Sequence, residues 1–467
     1  MTSIKFGTDG WRAIIADTFT NANVARVATA TALWLKKNGD NPKAVVGYDT
    51  RFGGAMFADI TARILCAHGI KVFLSDSFVS TPMVSFATKQ LEAGMGVIIT
   101  ASHNPPSYNG YKLKASFGGP ATPTVIKEVE DLIPTQADIP ATTADEFTAQ
   151  GLLSIANLED MYFTHVRKSF DLEAIRNSGL NIAYDAMYGA GQRILPHILP
   201  NAQLLHCDNN PSFKGQAPEP IHKNLQEFST YIKQKGNIDF GLATDGDADR
   251  IGLYNGKGQF IDSHHIILLL IHYLHRYKGL NGKVVCAFSV TSRAKTMCEK
   301  YGLPYQVTGI GFKYICEIMT QENVIVGGEE SGGIAATGHV PERDGIWMGL
   351  LILELMAKTG KSLDQLIQEV YDTVGAFAYD RYDMHLTEAL KQSILANCQQ
   401  NKYTHFGHYK VSKLETIDGF KYHFGDGEWI MIRASGTEPL LRVYAEAATP
   451  EQVADMLANA KATLLGT

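Results

Sequence analysis

The six cysteines include no C-x-x-C pair, which leaves them as reduced core residues of a cytosolic protein. Long apolar runs are missing: the longest aliphatic stretch, IILLLI at 266–271, is far short of the ~20 residues of a membrane helix, so no membrane role is expected. The opening MTSIKFGTDGWR lacks the charged-then-apolar layout of a secretory signal, and a cytoplasmic location is expected. An excess of basic charge is missing too. With 42 Lys+Arg against 48 Asp+Glu and a net charge of −6, a broad nucleic-acid footprint is excluded, and only a local basic pocket remains open.

Nucleotide and zinc signatures fail on single residues. GAGQRI at 189–194 begins like a dinucleotide fingerprint but ends in Ile194, where a small side chain is required. TGKS at 359–362 lacks the leading glycine of a phosphate loop, because position 355 is leucine. The histidines of HHIILLLIHYLHRY have no H-E-x-x-H spacing and read as ordinary helix-face residues.

What is present is an alternation. KAVVGYD precedes MFADITARILCAHG, NIAYDAMYG precedes AGQRILPHIL, and KVVCAFS precedes TSRAKTMCEKYG. Strand-like runs followed by helical patterns mark α/β domains, and 467 residues require several of them. Residues 131–148, rich in Pro, Thr and Ala, read as a linker; IGLYNGKGQFID reads as a hairpin turning at Asn255-Gly256 and as a second boundary. Near VGAFAYDRYDMHL the character changes again, and EWIMIR and LLRVYAEA lead to a helix capped by Thr449, with Gln452 as its capping-box partner. The expected domains are 1–148, 149–255, 256–374 and 375–467.

Four short stretches carry chemistry. In TASHNPPSYNGYK at 100–112, Ser102 stands where an apolar strand gives way to tight turns, beside His103, an acid/base candidate. In ATDGDADRIG, Asp245, Asp247 and Asp249 alternate in a loop that Gly246 lets curl, and oxygen-only ligation of this kind suits Mg²⁺. RASGTEPLLR sets Ser435, Gly436 and Thr437 between Arg433 and Arg442, a phosphate nest between two strands. GGEESGG offers Glu329 and Ser331 to sugar hydroxyls, and TGIGFK puts Lys313 near a helix start, suited to an anion. A serine near a metal site and a distant phosphate loop suggest that Ser102 carries a phosphoryl group. Three carboxylates with Mg²⁺ and a phosphoserine leave negative charge over, for which Arg12, His103, Lys112 and Arg250 are the available cations.

The set GTDGWR, TASHNPPSYNGYK, DGDADR, GEESGG and RASGTEP, in this order over nearly the whole chain, resembles the α-D-phosphohexomutase family of phosphoglucomutase/phosphomannomutase type. The resemblance implies four domains, three related mixed α/β domains and a C-terminal α+β domain like the TATA-binding-protein fold. It implies Ser102 as phosphoserine and Asp245, Asp247 and Asp249 as Mg²⁺ ligands together with a serine-borne oxygen. Lys112 falls on the family's acid/base lysine, Glu329 and Ser331 on its sugar-recognition loop, and Arg433, Ser435, Gly436 and Thr437 on its phosphate grip. The implied reaction interconverts hexose 1-phosphate and hexose 6-phosphate, of glucose and also mannose, through a hexose 1,6-bisphosphate. Two alternatives stand beside it, a phosphoglucosamine mutase of the same family and a Mg²⁺-dependent sugar phosphatase. Nothing in the sequence fixes a subunit number.

Overall fold

The structure, a computed structural model, describes residues 4–7, 9–39, 42–425, 427–434 and 440–466. Ser435, Gly436 and Thr437 lie outside the described residues. The chain forms two compact units, residues 1–280 with 311–364, and residues 281–310 with 365–467.

The first unit opens with a seven-stranded sheet made of Trp11–Ile14 (β1), Lys43–Tyr48 (β2), Lys71–Ser75 (β3), Met95–Ile99 (β4), Tyr108–Ala115 (β5), Gly119–Pro120 (β6) and Leu153–Ala156 (β7), in the order β1-β5-β4-β2-β3-β7 with β6 on β5. The unbroken apolar runs of β2 and β4 are those of parallel strands covered on both faces. The helices Asn21–Asn38 and Gly54–Ala67 pack into the same core, which gathers Val24, Val27, Phe57, Leu65, Val46 and Val97. The expected linker 131–148 is partly built. Thr143 and Glu146 form a reciprocal capping box that starts the helix Ala144–Ala149, and β7 beyond it pairs with β3. The division expected at 148 therefore falls inside this first sheet.

The second sheet comprises Ile182–Asp185 (β8), Gln203–Leu205 (β9), Phe240–Thr244 (β10), Ile251–Asn255 (β11) and Phe260–Ile261 (β12), in the order β12-β11-β10-β8-β9. The hairpin at Asn255-Gly256 is present, with the Asn255 side chain accepting from the N–H groups of Lys257 and Gln259. Because β12 returns onto β11, the division expected at 255 cuts a paired hairpin. Strands Val324–Gly328 and Ile334–Ala336 pair antiparallel around the GEESGG turn. IILLLI is buried within the helix Ser263–His272. TGKS proves to be a helix end: Gly360, at φ +66°, caps the helix Gly345–Thr359.

In the second unit, Lys283–Ala287 pairs in parallel with Tyr305–Thr308. Its other part is an antiparallel sheet in the order Ala378–His385, Leu440–Ala447, Glu428–Ala434, Phe420–Gly425, Lys413–Glu415. The helices Glu388–Gln399 and Pro450–Leu465 share its core through Ile394, Met456 and Ala460, an α+β layout as expected. Thr449 caps the last helix by accepting from the Gln452 N–H. The expected capping box is only half made, because the Gln452 amide reaches out to Glu428 instead. All six cysteines are unpaired thiols, five of them buried.

Candidate active site

The site stands at the C-terminal ends of β4 and β10, where open α/β sheets leave a crevice for ligands. Ser102 follows β4 by three residues, is 1 % exposed and holds a left-handed φ of 53°. Its N–H donates to Thr100 Oγ1 at 2.9 Å, and its hydroxyl donates to Asp245 Oδ2 at 2.7 Å. His103 Nδ1 lies 3.4 Å from the same hydroxyl. Burial, together with the nearby Arg250 and Arg12 guanidinium groups, holds the His103 imidazole well below its ordinary pKa. At neutral pH it is uncharged.

Asp245, Asp247 and Asp249 occupy the loop from β10 to β11, all fully buried, with one carboxylate oxygen from each within 4.8 Å of the others. Asp245 Oδ1 accepts the N–H groups of Asp249 and Arg250 at 2.9 and 3.0 Å, which curls the loop. Burial and the two neighbouring aspartates push the Asp245 carboxyl well above its ordinary pKa. Asp247 is pushed the same way by burial, but the Lys112 ammonium and the Thr81 hydroxyl win and hold it low. Asp247 Oδ1 and Asp249 Oδ1 have no hydrogen-bond partner. Buried carboxylate oxygens without donors are costly, and three converging carboxylates, two of them with such an oxygen, form a donor set that fits a hard divalent cation.

Cations surround the aspartates. On β5, Lys112 and Lys114 share one face. Lys112 Nζ donates to Asp247 at 2.7 Å and Asp249 at 3.3 Å and pairs with Asp9 at 2.9 Å. Burial works against its charge, yet these carboxylates hold its pKa above the usual lysine value. Arg343 Nη2 pairs with Asp9 at 2.5 Å and Asp249 at 2.7 Å. Lys114 is neutralised by Glu342 at 2.8 Å, which also accepts from Ser85. Arg12 donates to Asn104 Oδ1 at 2.6 Å, and Arg250 pairs with Glu219 at 3.4 Å.

The GEESGG turn meets the exit of the aspartate loop. Ile251 N–H donates to Gly332 O at 3.1 Å, and Arg250 bridges to Gly333. Glu329 is buried and accepts from the Gly311 N–H at 2.9 Å; burial raises its pKa, countered in part by Arg343. Ser331 lies half-buried in the turn. Lys313 lines, with Asp9 and Gly10, a cavity of about 210 Å³. In the second unit, Arg433 and Arg442 stand opposite each other on neighbouring strands. Arg433 Nε donates to Asp418 at 2.9 Å, and Arg442 lies 3.9 Å from Asp383.

Family models for the phosphoglucomutase/phosphomannomutase α/β/α domains I, II and III match residues 3–139, 160–258 and 262–374, and the model for the C-terminal domain matches 389–462. A phosphoglucomutase/phosphomannomutase of Thermococcus kodakarensis is 31% identical over 97% of this chain and 96% of its own. The chain belongs to the phosphoglucomutase/phosphomannomutase family. It has that family's four domains and is a mutase, an isomerase. A phosphoglucosamine mutase of Halalkalibacterium halodurans is 28% identical over 97% of this chain and 96% of its own. A Thermus thermophilus crystal structure provisionally assigned as a phosphomannomutase superposes with a TM-score of 0.88 at 34% identity, covering 100% of both chains.

Several residues that line this candidate site were passed over in the sequence. Arg51 and Asp49 end the run KAVVGYDTR at the C-terminal edge of β2, where polar residues face a crevice. Lys114 repeats Lys112 two residues on, the spacing of one strand face. Glu342, Arg343 and Asp344 form a charged trio directly before an apolar helix, a sign of buried ion pairing. Thr81, whose hydroxyl donates to Asp247 at 2.5 Å, gives no such signal.

Proposed function

We propose that the chain interconverts hexose 1-phosphate and hexose 6-phosphate, with glucose and mannose as the sugars, through phosphoserine at Ser102 and a hexose 1,6-bisphosphate intermediate. The observation that carries this reading is the Ser102 hydroxyl 2.7 Å from Asp245, beside two aspartate oxygens without donors. A nucleophile that exchanges phosphoryl groups needs a hard cation next to its oxygen, and these residues would hold Mg²⁺ with a serine-borne oxygen. When bound, the ion would neutralise charge on the phosphoryl oxygens.

The chain's own groups do the rest. Ser102 gives and takes the phosphoryl group. Lys112, buried and held protonated, is the proton donor, and His103 is a neutral acceptor beside the nucleophile. Arg12 and Arg250 offset phosphate charge. Glu329 and Ser331 meet sugar hydroxyls, with Lys313 and Arg343 nearby. Arg433 and Arg442, with Ser435, Gly436 and Thr437, grip the distal phosphate. No described helix is long and apolar enough to cross a membrane. We also propose a division of the chain close to the expected one, with the first two domains extended to take in β7 and β12.

A second reading has an observation behind it, since a relative similar over nearly the whole chain is named phosphoglucosamine mutase. Glu330 and Gly333 depart from the GEQSGH-like loop of amino-sugar members, which favours the neutral hexoses. Incubation with glucose 1-phosphate tests the class: glucose 6-phosphate supports the mutase, and free phosphate alone would turn the reading to a phosphatase. The ratio of kcat/KM for glucose, mannose and glucosamine 1-phosphates decides the sugar.

A further inference from the structure

Ser102 belongs to a small set of described non-glycine residues with positive φ, and four others, Met187, Tyr188, Phe213 and Lys214, occur as two adjacent pairs. Both pairs lie on loops that touch the segment Thr50-Arg51. Thr50 Oγ1 donates to Tyr188 O at 2.8 Å, and the Phe213 ring lies 4.9 Å from the Arg51 guanidinium carbon. Left-handed conformations of such residues persist only where the surroundings over-determine them. What they meet is one segment, Thr50-Arg51.

Arg51 is 3 % exposed and spends its side chain on backbone carbonyls of the serine loop. Nη2 donates to Ser102 O at 2.5 Å and Asn104 O at 2.7 Å; Nη1 donates to Pro105 O at 2.9 Å and Tyr108 O at 3.0 Å. Nε faces Asp49 Oδ2 at 3.3 Å, and Asp49 also accepts the Arg51 N–H at 2.9 Å and the Thr100 hydroxyl at 2.5 Å. Thr100 in turn accepts the Ser102 N–H. The circuit closes: both backbone polar groups of Ser102 lead to the Arg51–Asp49 pair. A planar fork with several fixed donors can bind four carbonyls at once, and an ammonium on a flexible stem cannot.

We propose that Arg51, seated by Phe213, is a positioning residue for Ser102 that fixes the left-handed backbone holding the Ser102 hydroxyl against Asp245. The proposal rests on the reading of Ser102 as phosphoryl carrier. The nitrogens of the Arg51 guanidinium are engaged with the serine loop and Asp49, so its effect belongs to turnover and not to substrate affinity.

The test compares Arg51→Lys and Phe213→Leu with the unmodified chain in Mg²⁺. Readouts are kcat and KM for glucose 1-phosphate per folded molecule, and amide exchange of residues 101–109. Arg51→Lys should lower kcat about 100-fold, the scale of a misplacement near 1 Å, with KM within about twofold and faster exchange in 101–109. Phe213→Leu should show the same pattern at about three- to tenfold. Unchanged kcat per folded molecule, a loss confined to KM, or unchanged exchange in 101–109 would overturn the proposal. If Arg51→Lys does not fold, Phe213→Leu decides by the same criteria. Intact mass after incubation with glucose 1,6-bisphosphate tests the carrier reading separately. If the unmodified chain carries no phosphate on Ser102 either before or after that incubation, that reading fails, while the exchange of 101–109 still decides whether Arg51 fixes the loop.

Discussion

Replacing Gly246 by alanine adds one methyl group between the serine loop and the aspartate loop. A Cβ there would lie 2.5 Å from Ser102 O, 3.1 Å from Pro218 Cγ and 3.5 Å from Ser102 C. Ordinary carbon–oxygen contact begins near 3.4 Å, so about 0.9 Å of separation is required. The opposing atom is backbone, held by Arg51, and cannot swing aside as a side-chain tip would. Gly246 is not among the positive-φ glycines, so the alanine backbone is itself unstrained. The whole effect is therefore a displacement of Ser102 from Asp245. A reacting group moved by about 1 Å costs on the order of 10²-fold in rate, or about 2.7 kcal/mol, and the overpacking costs about 1–3 kcal/mol of stability. The assay is the initial rate of glucose 6-phosphate formation from glucose 1-phosphate, with thermal unfolding on the same sample. Gly39→Ala is the control, since its Cβ would meet only Leu35 O at 3.7 Å. A Gly246→Ala enzyme within threefold of the unmodified kcat would refute the claim that the two loops must close to this distance.

Ser102→Ala should abolish turnover while leaving the fold intact, and intact mass of the unmodified protein should show a phosphate-sized increment mapping to Ser102; turnover in the alanine variant with added bisphosphate would sink the carrier role. A chelator should stop the reaction and Mg²⁺ restore it, with Asp247→Asn needing far more Mg²⁺ for half-maximal rate; a rate indifferent to chelation would leave the aspartate loop without a metal. Arg433→Ala should lower kcat/KM by about 2–4 kcal/mol, equally for glucose 1-phosphate and glucose 6-phosphate, with Ser102 phosphorylation unaffected; unchanged kinetics would mean that the distal phosphate binds elsewhere. His206, whose pKa is raised by its hydrogen bond to Asp185, contributes stability that is fully present below its unfolded pKa of about 6.5 and fades as pH rises through the raised folded value. His206→Gln should accordingly lose more Tm at pH 5.5 than at pH 8.5, and a pH-independent loss would contradict that sign.

The fold was legible wherever a strand is covered on both faces, because such strands are short continuous apolar runs bounded by turns, as KAVVGY and MGVII are. Boundaries were less legible. A linker rich in Pro and Thr and a Thr-x-x-Glu capping box are written in the same residues, and at 143–146 the box won. The hairpin at Asn255 was read correctly as a turn, but a turn does not say whether its second strand stays with the sheet. Gln452 stands three residues after its cap, yet its side chain found Glu428, a partner on another strand that local spacing cannot reveal.

The site divides along a similar line. Ser102, Lys112 and the three aspartates were legible because the stretches that bring them together stand out as short polar motifs in the sequence itself. Asp9, Arg51, Glu342 and Arg343 were not, because each acts on a partner more than 40 residues away. Their positions change the charge argument. Read from the sequence, three aspartates seemed to await a metal with cations to spare for phosphate. In the structure Lys112 and Arg343 are already committed to Asp9, Asp247 and Asp249, and Lys114 to Glu342. These three cations against four carboxylates bring the protein's buried centre to within about one negative charge of neutral, Asp245 aside. In the proposed cycle Mg²⁺ brings two positive charges and phosphoserine about −1.5 to −2, so together they add little net charge. Either one alone would leave a buried charge without a counterpart, which is the costly state. Under that proposal the balance would let one set of side chains serve both a phosphorylated and an unphosphorylated Ser102, provided the phosphate that leaves the serine stays in the site on the sugar.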